Sequence, residues 1–391
     1  MVDGILYNYM SSGHQDGTRP NITHGFDRTY GPQYHHFNKG GNISKSYADA
    51  AQYANSSWNA EFYDSIAKYV PNYVPSSHRT NFKAKIKLPR TAKRPIAILS
   101  ESGRYFQDNV ERMDALQYWA EIDPATGLVE IPRVKEDIYW LTVYADGVFG
   151  MFVEEDVEVS RRNHKGQGQL LTFRWEAESA GKEIWIPILA PLALEKDTNL
   201  ANMYWSLSMQ AMWDFPTKFP NGVTYKVGES NPSRDWNYIH WSVFSHVGNV
   251  FRNETVYGIN NWTILFDLDT HQLAHGQGNL KDKTATLTIS FAGAKTGSRT
   301  NDWVNLPYTL NVNGDDVETW IVPWSVSTSC GVRSAASCLN FEHKFRFRAE
   351  RLRLGENRFV LSLPRDAASV EEAALPWTTY VQYDALRLEI G

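Results

Sequence analysis

Two tyrosines and a histidine near the start of the chain form its most reactive-looking cluster. In LYNYMSSGH, Tyr7 and Tyr9 stand two residues apart on a short strand from Ile5 to Met10, so they share a face, and His14 follows Gly13 on the loop at its end. Phenols can hydrogen-bond or pass protons and an imidazole titrates near neutrality, so the trio could line an acid/base site for a sugar. The plainer reading is two strand tyrosines packed on a core and a solvent-exposed loop histidine. A second cluster is DWNYIHW: Trp236, Tyr238 and His240 alternate onto one strand face, with Asn237, Ile239 and Trp241 on the other. One of these faces, through Trp236 and Tyr238 or through Trp241, could be a platform for stacking on sugar rings; the alternative is an aromatic face buried in a sheet. In a third, RWEAESAG and VQYDALRLEI place Glu176, Glu178 and Asp384 on strands that could be neighbours, and hard oxygen ligands there would suit a structural calcium ion, against the alternative of ordinary exposed carboxylates. The acidic triplet Glu154, Glu155 and Asp156 reads as a solvated loop.

Other chemistries are set aside by what the sequence lacks. It contains no G-x-S-x-G elbow, no phosphate-binding G-x-x-x-x-G-K-S/T loop, no H-E-x-x-H pair and no dinucleotide fingerprint. His24, His35 and His36 are scattered or adjacent, which is poor geometry for metal ligation. The two cysteines, Cys330 and Cys338, lie in STSCGVRSAASC without further Cys or His ligands nearby, so a local disulfide is expected rather than a zinc site. Five Asn-x-Ser/Thr sequons, at Asn21, Asn42, Asn55, Asn253 and Asn261, are compatible with glycosylation and lean toward an extracellular setting. The start, MVDGILYNYM, has no basic segment leading into a long apolar one and is not a secretion signal; the expectation is a cytosolic chain or one whose true N-terminus is missing.

The elements that must hold these residues are mostly strands. Of 391 residues, 52 are Trp, Tyr or Phe, a 13% share that suits strand-rich cores, while 39 basic against 44 acidic residues give a net charge of −5 and no footprint for nucleic acid. No run of 18 apolar residues occurs, so no membrane span is expected. Trp58, Phe62, Ile66 and Val70 make a helical stripe closed by Pro71 and Pro75. From residue 80 the period drops to two: Phe82, Ala84, Ile86 and Leu88 alternate with lysines, and Leu141 and Val143 with Trp140, Thr142 and Tyr144, as in a small sandwich of immunoglobulin or fibronectin type III kind with turns at Gly127 and Gly147. From about Arg174 a larger sandwich, a jelly roll, is expected: Leu287, Ile289 and Phe291 alternate, as do Phe345 and Phe347, then Phe359, Leu361 and Leu363. Asn313-Gly314 is a hairpin turn, and Gly355-Glu356-Asn357 is expected to separate two strands.

Long strings of the chain resemble the fungal rhamnogalacturonan lyases of polysaccharide lyase family 4. They include LYNYMSSGH, PNITHGFDRTYGPQ, SSWNAEFYDSIAKYVPNYVPSS, YWAEID, LTVYADGVFG, RWEAESAG, DFPTKFPNGV, NYIHWSVF, NNWTILFDLD, NLPYTLNVNG and YVQYDALRLEI. The resemblance implies a secreted, mainly β protein in three parts: residues 1–75 as the C-terminal edge of a catalytic β-sandwich with a helical linker, 76–162 as a fibronectin type III-like domain, and 163–391 as a jelly roll resembling carbohydrate-binding modules. It implies cleavage of the rhamnose–galacturonic acid backbone of pectin by β-elimination, with rhamnogalacturonan I as partner and no cofactor needed for the chemistry; a monomer is the default expectation. It makes Tyr7 and Tyr9 substrate contacts and His14 the catalytic histidine, and it places the family's base, a lysine, upstream of the matched region. The expectation is therefore a lyase homologue that is incomplete as this chain, or alternatively a non-catalytic module binding a cell-wall glycan. Residues 185–212 depart from the family pattern, which resumes at WDFPTKFPNGV, as a shifted frame or a splice difference would produce.

Overall fold

In the computed structural model, residues 36–53, 57–70, 73–103, 105–107, 116–161, 170–189, 218–219, 222–241, 261–270, 280–296, 306–326, 339–363 and 380–391 are described. They fall into two units: the described residues up to Asp146 with Phe152–Glu176, and Gly147–Met151 with those from Ala177 onward. No helix among the described residues is long and apolar enough to cross a membrane.

The first unit opens with two short helices. Helix α1 (Ile43–Ala51) is capped by Asn42, whose backbone is extended and whose Oδ1 accepts the Lys45 N–H at 2.9 Å. Helix α2 (Ser57–Ile66) is tied down by Asp64, whose Oδ1 accepts from the Tyr73 hydroxyl and the Ser76 N–H, each at 2.8 Å. Of the expected stripe, Phe62 is 41% exposed, while Ile66 and Val70 are half-buried; the Trp58 side chain lies outside the described residues.

Seven strands follow as two facing sheets. Strands β4 (Leu128–Lys135), β1 (Arg79–Lys87) and β7 (Leu170–Arg174) form one; β3 (Gln117–Glu121), β2 (Lys93–Glu101), β5 (Asp137–Asp146) and β6 (Phe152–Val159) form the other, in those orders. The alternation read in the sequence sets the core: Phe82, Ala84 and Ile86 point inward with Val129, Ile131, Leu141 and Val143, whereas Leu88 lies just beyond β1 and is half-buried. Strand β7 lies past the expected boundary at residue 162 yet completes this unit, pairing parallel to β1 from Lys83↔Leu170 to Lys87↔Arg174. Between β3 and β4, Gly127 adopts a φ of 72° and brings its backbone onto β1, where its carbonyl accepts the Ile86 N–H at 2.8 Å.

The second unit packs two five-stranded sheets on one apolar core. In one, β17 (Tyr380–Ile390) is central: β12 (Thr284–Lys295) lies along one edge with β15 (Phe341–Arg348) beyond it, and β8 (Lys182–Leu189) and β10 (Ile239–Trp241) share the other edge. The opposing sheet runs β14 (Asp315–Val322), β13 (Leu306–Val312), β16 (Gly355–Ser362), β11 (Asn261–Leu268), β9 (Val223–Lys226). Leu287, Ile289, Phe291, Phe345, Phe359 and Leu361 are fully buried, as their alternation requires. The hairpin of β13 and β14 turns on Asn313 and Gly314, both at positive φ, which a right-twisted two-residue turn demands. Gly355-Glu356-Asn357 begins β16 instead of separating strands. Asn357 is buried there as a clamp, accepting the Arg353 N–H at 2.8 Å and donating to the Arg353 carbonyl at 2.7 Å.

Candidate functional site

Tyr7, Tyr9, His14, Cys330 and Cys338 lie outside the described residues. The DWNYIHW segment corrects an expectation. A four-residue helix, α3 (Pro232–Asp235), precedes it, and only Ile239–Trp241 is strand. Trp236 is 3% exposed, its ring edge-on to Tyr225 at 5.9 Å and tilted against Tyr383 at 5.2 Å, so it is a core residue and offers no face to a sugar. Tyr238 is half-buried against the same core, and burial pushes its hydroxyl pKa well up. Trp241 pairs with Tyr380, its side chain lying outside the described residues.

The three carboxylates expected to converge have separate partners. Glu176 pairs with Arg174 at 2.6 Å, Glu178 with Lys344, and Asp384 accepts from the Ser290 hydroxyl at 3.2 Å. Among the described residues, no three His, Cys, Asp or Glu side chains are grouped to hold a metal ion. Glu178 contributes instead to a buried polar cluster through its backbone: its carbonyl accepts from Arg387 Nη1 at 3.0 Å. The Arg387 guanidinium lies 4.5 Å from the centre of the Phe149 ring, and its Nε is 3.1 Å from Glu389 Oε2. Glu389 also accepts from the Ser179 hydroxyl at 3.0 Å.

The cluster that combines titratable groups, aromatic rings and access to solvent sits between the outer strands of the second unit. Strands β14 and β15 end the orders of their respective sheets, and Glu318 on one meets His343 on the other, Oε1 to Nε2 at 3.0 Å. Trp320 stacks on His343 with centroids 4.1 Å apart and planes 9° apart. Phe291 and Phe341 back the indole at 5.9 and 6.1 Å. Two residues past β14, Trp324 is 62% exposed. Burial holds the His343 pKa below its ordinary value, although the Glu318 hydrogen bond works against that shift. A carboxylate and an imidazole are groups that bind sugar hydroxyls.

A chain of buried hydroxyls stiffens the floor beneath it. Tyr308 meets the Trp320 ring edge-on at 6.5 Å, its hydroxyl lies 2.8 Å from that of Tyr383, and His240 Nδ1 lies 2.7 Å from the Tyr383 hydroxyl. His240 is itself stacked 3.6 Å over Trp262, whose Nε1 donates to the Asn237 carbonyl at 2.8 Å. Sequence reasoning passed over Glu318 and His343. The available signal was phase: His343 falls in step with Phe341, Phe345 and Phe347, and a titratable residue in step with an apolar face needs a partner.

Comparison with known proteins gives two consecutive family matches. Residues 89–167 match polysaccharide lyase family 4, domain II, and residues 193–388 match polysaccharide lyase family 4, domain III, a carbohydrate-binding-module-like model. The chain is 49% identical to "Probable rhamnogalacturonate lyase C" of Emericella nidulans over 98% of its own length, and 47% identical to the Aspergillus oryzae protein of the same name over 98%. It is 42% identical to "Rhamnogalacturonate lyase B" of Emericella nidulans over its whole length. The chain spans 37%, 56% and 60% of the lengths of these three relatives.

Proposed function

The chain belongs to polysaccharide lyase family 4, and from that membership we propose that it serves the cleavage of rhamnogalacturonan by β-elimination outside the cell, with its second unit holding the polysaccharide. The observation that carries the reading is identity of 47–49% to rhamnogalacturonate lyases over 98% of the chain. Elimination requires a base for the C5 proton of galacturonate, positive charge or hydrogen bonds on its carboxylate, and a donor for the leaving oxygen. Within this reading His14 takes part in proton transfer, Tyr7 and Tyr9 contact the substrate, and Glu318, His343 and Trp324 bind sugar residues away from the reacting bond. A Cys330–Cys338 bridge, glycosylation and a monomeric state accompany it.

The test is incubation of the 391-residue chain with rhamnogalacturonan, following the ultraviolet absorbance of the unsaturated uronate product. A rising signal that His14→Ala abolishes would support the lyase reading. A flat signal with the polysaccharide still retained would assign the chain to glycan binding alone. A chain that neither cleaves nor retains the polysaccharide would overturn both.

A further inference from the structure

A ladder of lysines on the first unit is used by none of the chemistry above. Lys83, Lys85 and Lys87 alternate with the core residues Phe82, Ala84 and Ile86, so all three stand on the outward face of β1, about 6.7 Å from one to the next. Lysines commonly blunt the edges of sheets, but β1 is a middle strand, paired with β4 on one side and β7 on the other, and has no edge to protect. Register sets Arg174 of β7 beside Lys87, and the turn into β2 adds the exposed Arg90, with the exposed Lys93 opening that strand. Counter-charge is sparse. Lys83 meets Glu130 at 3.3 Å and Arg174 meets Glu176 at 2.6 Å, both pairs well exposed to solvent, whereas Lys85, Lys87, Arg90 and Lys93 have no ion-pair partner among the described residues.

The face is open as well as basic. Asn81, Lys85 and Lys87 are exposed on β1, and their neighbours Leu128 of β4 and Leu170 of β7 are 44% and 51% exposed. Leu128 stands opposite Lys85 and Leu170 opposite Lys83, so each side of the ladder sets an alkyl group next to an ammonium. A uronic acid complements both, with a carboxylate for the ammonium and the C–H face of its ring for the leucine. Like charges held this close repel one another, and an anionic chain laid along them relieves that repulsion as it gains its own attraction. The basic face is also narrow, a single strand of lysines about 13 Å long on a chain of net charge −5. At low ionic strength that net charge opposes a densely charged polymer such as duplex DNA, with one charge per about 1.7 Å of its length, and admits a sparse one with one charge per uronate.

We propose that the outward face of β4, β1 and β7 binds the uronate units of an acidic polysaccharide, with Lys85 and Lys87 carrying the affinity. The choice of uronate rests on the reading of the chain as acting on rhamnogalacturonan, whose galacturonate units bear the complementary charge. Neither the residues assigned to the reaction nor the Glu318–His343 cluster takes part. Nucleic acid is the competing occupant.

Titration of the full chain into fluorescein-labelled oligogalacturonate, followed by anisotropy, tests it. Expected are binding at low ionic strength that weakens as salt is added, and about tenfold weaker binding for the double variant Lys85→Gln with Lys87→Gln. Its unfolding midpoint should be unchanged, since both side chains are exposed. Lys39→Gln with Lys45→Gln removes the same charge from exposed positions before and within α1 and should leave binding nearly as it was. No binding of wild type to oligogalacturonate, equal affinity in the ladder variant, or an equal loss in the α1 variant would each overturn the proposal. So would tighter binding to labelled duplex DNA than to oligogalacturonate, or a labelled neutral galactan that depends on the ladder to the same degree. Ladder-dependent binding in a chain that forms no unsaturated product from rhamnogalacturonan would leave this surface standing without the lyase reading; product formation without ladder-dependent binding would remove the surface alone.

Discussion

Buried charge in the second unit is tolerated because each group is answered locally. Arg387 and Glu389 stand two apart on β17, both inaccessible to solvent, with the Phe149 ring, the Ser179 hydroxyl and the Glu178 carbonyl around them. Their facing Nε and Oε2 atoms are close enough for strong attraction but not aligned as a hydrogen bond. Glu389→Ala removes the countercharge and leaves the guanidinium buried, so a loss of about 3–5 kcal/mol is expected, read from the urea midpoint of the second unit. His343 poses the opposite case, a group kept neutral. Because burial lowers its folded pKa, the unfolded chain takes up the proton more readily; stability is full above the ordinary value of 6.5 and declines as the pH falls through it. Urea midpoints measured from pH 7.5 down to pH 5 should fall more steeply for the wild type than for His343→Gln; parallel curves would show that another group sets the slope.

Among the elements, the turn into β4 shows how one backbone position joins two strands. Gly127 sits at a φ of 72°, and a Cβ placed there would lie 2.2 Å from the Ile86 carbonyl oxygen of β1. Gly127→Ala therefore combines left-handed strain with a backbone clash, and a destabilisation of more than about 2 kcal/mol is expected in thermal unfolding. This turn was legible in the sequence, as was the alternation of β1, β5, β12 and β16, because a period of two with one buried face admits a single register. The pairing of β7 with β1 was not legible. Parallel partners more than 80 residues apart leave no local trace, so LLTFR was read as the opening of the next domain. DWNYIHW was misread for a related reason: alternation shows that two faces differ, but not which one the opposing sheet covers. Glu318 and His343 come from different strands in different sheets, and only the folded core brings them together.

At the scale of the molecule, both units place their decisive strands far from the strands they join. The first unit is finished by β7, and the second is organised around β17, which hydrogen-bonds to β8, β10 and β12. For a polypeptide made from its N-terminus, this fixes an order of events on the ribosome. The first sandwich cannot close until Arg174 has cleared the exit tunnel. The second must wait much longer, because its middle strand runs to Ile390, far along the chain from β8 at Lys182–Leu189, and until then its apolar faces are nascent chain awaiting a partner. A ribosome that stalls before β17 releases one finished sandwich and one set of unpaired strands, a substrate for chaperones in the secretory pathway or cytosol alike.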